Sequence, residues 1–150
     1  MRIFNGADEL KAAVGESLGS SDWLTIDQQR IDQFAQATGD HQWIHVDAER
    51  AEQGPFGRTI AHGFLTLSLV PVFGSQVYKV ENVKMGVNYG SNKVRFVSPV
   101  PVGSKVRGTF ELASVDEASG GVQMVSKVTV EIEGSEKPAC VAETLTRLYF

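Results

Sequence analysis

The sequence holds one cysteine, Cys140, in 150 residues. No disulfide can close within one chain and no multi-cysteine metal site can form, a usage that fits a reducing compartment. Long hydrophobic runs are missing too. The most apolar stretch, Phe64 to Phe73, falls short of the roughly 20 residues that cross a bilayer. Met1 to Glu9 show no apolar signal core and carry acids early, so the expectation is a cytoplasmic protein with no membrane partner. Excess positive charge is absent as well: 14 Lys and Arg stand against 18 Asp and Glu, a net charge of −4. That balance lacks the basic footprint of nucleic-acid binding, although a local cluster of cations can still meet an anionic ligand. Gly-x-Gly-x-x-Gly and phosphate-loop motifs do not occur, and no cofactor is expected.

What remains is an ordinary globular composition, 42% hydrophobic, over a length usual for one domain. Residues 1–150 are read as a single domain with no repeat and no linker. Asp8 to Val14 reads as a short helix stopped by Gly15. Ser21 to Ile26 reads as extended. Thr25 and Gln28 match a capping box. The helix it opens carries Ile31, Phe34, Ala35 and Thr38 on one stripe, and Gly39 suits its left-handed C-terminal cap.

Phe64 to Phe73 is apolar in nearly every direction, as a buried helix or a buried strand would be. A helix starting near Gly63 is favoured, with a kink or early end at Pro71. Beyond Lys84 the period changes to two. Lys84 to Tyr89, Asn92 to Val97, Lys105 to Val115, Val122 to Ile132 and Ala139 to Phe150 are expected strands. Turns fall at Pro99 to Gly103, Gly120-Gly121 and Gly134 to Pro138. Strands gathered behind a helical first half imply an α+β fold, an antiparallel sheet with a helix on one face.

Three histidines, His41, His45 and His62, supply the groups that titrate near neutral pH. Asp40 follows the helix stop, where a rigid element hands over to a loop, and lies five residues before His45. A carboxylate and an imidazole so placed can share a water, or Asp40 can simply cap a turn beside a structural histidine. His41 and His45 are spaced like two zinc ligands, but Gly39 interrupts the helix that spacing needs, and His41 is expected to face solvent. Gly63 can donate a backbone N–H at a helix N-terminus to an oxygen that turns negative, or serve close packing alone. Lys93 and Arg95 alternate with Val94 and Phe96 on one strand face, positioned for phosphates or for solvent. Cys140 is expected to be a small core residue.

Taken together, Phe34-Ala35-Gln36-Ala37-Thr38-Gly39-Asp40-His41-Gln42-Trp43-Ile44-His45 with Ala51, then Thr59 to Gly63, Asn92 to Phe96 and Pro99 to Gly103, resemble in order the MaoC-like, R-specific enoyl-CoA hydratases. The resemblance implies a hotdog fold, a long antiparallel sheet wrapped around a central helix, and a homodimer with active sites near the subunit interface. It implies Asp40 and His45 as the catalytic pair and Gly63 as oxyanion donor. Gln42, His62, Lys93 and Arg95 are the expected further contacts to an enoyl-CoA thioester. The implied reaction is reversible syn hydration to the R-3-hydroxyacyl-CoA. A hotdog thioesterase and a non-catalytic acyl-CoA-binding or lipid-binding protein are the alternatives. The sequence departs at Gln42-Trp43, where the family usually has Asn-Pro, which puts the role of Gln42 in question.

Overall fold

A computed structural model describes residues 1–150. In chain order the elements are β1 (Arg2–Phe4), α1 (Ala7–Ala12), β2 (Ser17–Ser20), β3 (Leu24–Thr25), α2 (Gln28–Thr38), α3 (Trp43–Val46) and α4 (Ala48–Glu52). There follow α5 (Gly63–Ser68), α6 (Val70–Val77), β4 (Tyr78–Val80), β5 (Met85–Phe96), β6 (Lys105–Ala118), β7 (Gly121–Ile132) and β8 (Cys140–Tyr149). Six strands form the main sheet in the order β2-β6-β7-β8-β5, with β3 also paired to β6. Every pairing in it is antiparallel. The sheet wraps the apolar helical run of α5 and α6, which is the hotdog arrangement.

The period-two pattern of β7 explains how the sheet holds that helix. Val122, Met124, Ser126, Val128 and Val130 are all buried on one face. Phe73 of α6, fully buried, packs toward β6, where a side chain added at Gly108 would meet its Cβ at 2.8 Å. Leu65, Leu69, Val70 and Val77 complete the helix's contribution to the 24-residue core. Each such side chain stabilises the fold by about 1.5–3 kcal/mol when removed from water. The helical run pauses at Leu69, and Pro71 stands in the first turn of α6. Proline has no N–H to continue the ladder, so the expected break is found just before it.

Three local expectations need correction. Thr25 is not the cap of α2: it pairs with Lys105 in β3, and Asp27 caps the helix by accepting from Arg30 N–H at 2.9 Å. The two strands expected at Lys84 to Tyr89 and Asn92 to Val97 are one strand, β5, continuous through register shifts at Asn88/Gly90 and Ser91/Lys93. Gly90 has φ 148°, which only glycine adopts freely. The extended stretch at Ser21 to Ile26 is instead β2 and β3 flanking Ser21 to Trp23. The Gly39 cap is as expected, left-handed at φ 80° with its N–H on Ala35 carbonyl.

Candidate active site

The site forms where α2 ends, α3 begins and α5 starts. Ile31 and Ala35 bury one face of α2, which fixes the position of its C-terminus, and Gly39 turns the chain out. Asp40 is exposed at that turn. Its carboxylate accepts from Gln42 N–H at 3.3 Å, an Asx turn that sets the entry to α3. His45 then lies in the short helix α3 and is buried.

The His45 ring is held at one nitrogen. Nδ1 lies 2.7 Å from the Ile60 carbonyl oxygen. A carbonyl only accepts, so Nδ1 carries the proton and Nε2 keeps its lone pair. Burial pushes the imidazole below its usual value; the Ile60 bond opposes that, His62 adds to it, and Asp40 opposes it. Near neutral pH the ring is therefore a neutral base. Ile60 is itself anchored: its N–H donates to Ile44 carbonyl at 3.0 Å, and Ala61 N–H donates to Val100 carbonyl at 2.8 Å.

His62 stacks on His45 with ring centroids 3.8 Å apart and 24° between planes. Phe34 closes its other side at 4.9 Å. His62 Nε2 donates to the Asp40 carbonyl oxygen at 3.0 Å, while Nδ1 is buried without a partner. Sealed in this way, His62 faces Asp40's backbone and not the pocket. It holds the Asp40 backbone and does not line the pocket formed by His45 and Gly63.

One ligand-capable atom from each of Asp40, His45 and His62 falls within 4.8 Å of the others. Such a trio could suggest a metal, but one His45 nitrogen is bound to Ile60 and one His62 nitrogen to Asp40, and near-parallel rings do not aim two lone pairs at one ion. An Asp40 oxygen and a His45 nitrogen within that limit are close enough for one water to bridge them, its two hydrogen bonds spanning about 2.8 Å each.

Gly63, the first residue of α5, lines the same pocket as His45, with Thr66, Phe96 and Ser98. The pocket is about 170 Å³. No acceptor in the protein takes the Gly63 N–H. A side chain at Gly63 would sit 2.9 Å from the Phe96 ring, so close packing and a free donor coincide at one glycine. His41 is exposed, as expected. Cys140 is fully buried, and burial pushes its thiol up. Gly15-Glu16-Ser17-Leu18-Gly19 spells a nucleophile-elbow pattern, but Ser17 pairs with Glu111 inside the sheet and not on a strand-to-helix turn.

Two expected contacts are not brought to this pocket. Phe96 lines it, and Lys93 and Arg95 alternate with Phe96, so they point from the other face of β5. Lys93 borders a separate hollow with Lys127 and Glu143. Gln42 is exposed, and its side-chain amide has no partner. The turn that proline would have preset is braced by Trp43 instead: Arg50 lies over its ring at 4.3 Å, and a side chain at Gly54 would strike it at 3.0 Å.

Gln28 is the supporting residue that sequence reading missed. Its Oε1 accepts from the buried Thr59 hydroxyl at 2.6 Å. Its Nε2 donates to the His45 carbonyl at 2.8 Å and to Asp32 at 2.9 Å. One amide thus ties α2, α3 and the strand-like segment before α5 together.

With that geometry in place, residues 9–134 match the MaoC like domain. The chain belongs to the MaoC-like dehydratase family. This MaoC-like chain is 58% identical over 148 residues to 3-hydroxyacyl-thioester dehydratase Z of Mycobacterium tuberculosis, covering 98% of each. It is 47% identical over 145 residues to Nodulation protein N of Rhizobium leguminosarum bv. viciae, covering 95% of this chain and 90% of the relative. Among solved structures, R-Hydratase PhaJ1 from Pseudomonas aeruginosa superposes with a TM-score of 0.74 at 23% identity, over 96% of this chain and 85% of that one. At that identity the likeness shows the shared hotdog fold of the MaoC-like chains.

Proposed function

We propose that the protein reversibly hydrates trans-2-enoyl-CoA thioesters to R-3-hydroxyacyl-CoA, with Asp40 and His45 as the acid/base pair. The observation that carries this is His45: neutral, proton fixed on Nδ1 by Ile60, lone pair free, and Asp40 within reach of a common water. His45 Nε2 takes a proton from that water as its oxygen bonds C3. The double-bond electrons move onto the thioester oxygen, which the Gly63 N–H steadies. The pair then returns a proton to C2 from the same side, and the thioester carbonyl reforms. The 58% identity to a named 3-hydroxyacyl-thioester dehydratase supports the same chemistry in its reverse direction.

A positioned acid/base group supplies about 10²–10⁴-fold. Asp40→Asn and His45→Gln are each expected to slow crotonyl-CoA hydration by about a hundredfold or more, read as loss of the conjugated thioester absorbance on folded variants. A near-normal rate for either removes that residue from the mechanism, and release of free CoA thiol in place of hydration points to thioester hydrolysis.

We also infer a cytoplasmic homodimer joined through β5. This 12-residue strand ends the sheet exposed over nearly its whole length, with Met85, Tyr89 and Phe96, and Val97 just beyond it, each about half accessible. Long apolar edges are normally covered. Light scattering is expected to give twice the chain mass; a monomeric mass at micromolar concentration sinks this assignment.

A further inference from the structure

A second cavity, about 370 Å³, opens along the same helical run. Gly63 and Thr66 line the catalytic pocket, while Leu67 and Val70 line this one. It therefore begins about one helical turn, roughly 5 Å, beyond the Gly63 donor. An acyl chain that follows the helix from a thioester at Gly63 reaches it after about one turn.

The far wall is not what a hydrocarbon tail needs. Asn88, Ser91, Thr144 and Thr146 line it. They form two cross-strand rungs, Asn88 with Thr146 and Ser91 with Thr144. Asn88 and Ser91 are three apart and would face opposite sides of a regular strand. The register shift at Gly90 turns both onto the cavity side. None of the four side chains takes part in a hydrogen bond within the protein. Tyr78 borders the same space, and burial holds its phenol in the protonated form. No Asp, Glu, Lys, Arg or His lines the cavity.

We propose that this cavity selects enoyl thioesters whose acyl chain carries a neutral hydrogen-bonding group, a hydroxyl or carbonyl, several carbons beyond the double bond. The inference rests on the hydratase reading of the catalytic end. A plain alkyl chain entering here strips water from an amide and three hydroxyls and gives nothing back. A hydroxyl or carbonyl replaces that water, because hydroxyls and an amide both donate and accept. A carboxylate or ammonium would meet no opposite charge.

The test compares trans-2-octenoyl-CoA with 8-hydroxy-trans-2-octenoyl-CoA on the full chain, using crotonyl-CoA as the short reference. Sites built to hydrogen-bond a substrate group discriminate strongly against analogues lacking it, so kcat/KM is expected to favour the hydroxylated chain by about tenfold or more. In the double variant Asn88→Leu/Thr146→Val the ratio is expected to fall to unity or invert. A wild-type preference for the plain chain overturns the proposal. So does an unchanged ratio in the double variant, including the case where the variant alters only the oligomeric state. If the wild type hydrates none of the three thioesters, the hydratase reading fails instead. The cavity is then judged by calorimetric binding of octanoyl-CoA against 8-hydroxyoctanoyl-CoA, where equal affinities overturn it.

Discussion

The two pockets along α5 and α6 are built on opposite principles. At the Gly63 end nearly every polar group near the chemistry is already engaged: His45 Nδ1 on Ile60, His62 Nε2 on Asp40, Thr59 on Gln28. What is left free is a lone pair on His45, the second Asp40 carboxylate oxygen, the Gly63 N–H and the buried His62 Nδ1, the first three being the groups that the proposed hydration uses. At the distal end Asn88, Ser91, Thr144 and Thr146 are all unengaged. The difference shows where preorganisation matters. The proposed proton transfer needs groups that do not reorganise, and most polar groups around them are satisfied in advance. Recognition of a substrate group works by leaving partners open until it arrives.

The His45 half of this contrast breaks first on pH. His45 titrates below its ordinary value because of burial, so its basic form survives into mildly acid solution. The acid limb of kcat/KM for crotonyl-CoA, which reports the free enzyme, is expected below pH 6.5, falling about tenfold per unit beneath its midpoint. The sign for stability follows from the same shift. The unfolded chain binds this proton more readily than the folded one, so folding stability is full above the unfolded value and is lost as pH drops below about 6.5, down to the folded value. In His45→Gln that portion of the pH dependence is expected to vanish from urea titrations. An acid limb centred well above 6.5 contradicts a prearranged neutral base.

Much of this end was legible locally. The apolar stripe of α2, its Gly39 stop and the turn at Asp40 are all encoded within a dozen residues. Pro71 announced the break at Leu69 for the same reason. The sheet was legible where alternation ran unbroken, as in β7, and misread where Gly90 interrupts it in β5, because a bulge looks like a strand end until its partner strand is seen. Lys93 and Arg95 were read correctly as sharing a face. Which face could be learned only once Phe96 was seen against Gly63. Pairing of β1 with β4 joins Arg2 to Tyr78, a contact with no local signal. Gln28 was hidden more deeply: its amide meets Thr59 from 31 residues away, and in sequence it passed for a helix-capping residue.

That hidden amide gives the finest probe of how tightly the His45 pocket is held. Gln28→Leu removes the acceptor from the Thr59 hydroxyl, which is 1% exposed, and the donor from the His45 carbonyl. An orphaned buried hydroxyl costs about 1–3 kcal/mol, which a denaturant titration resolves. The effect on catalysis is expected to be smaller than that of any change to the acid/base pair, about three- to tenfold in kcat with little change in KM, because His45 keeps its ring bond to Ile60 and loses only the brace on its backbone. Adding Thr59→Val removes the orphaned hydroxyl, so the double variant is expected to recover stability while kcat stays low. Two losses that instead recover together would mean that Gln28 serves the fold alone, and that the Ile60 carbonyl is sufficient to aim His45.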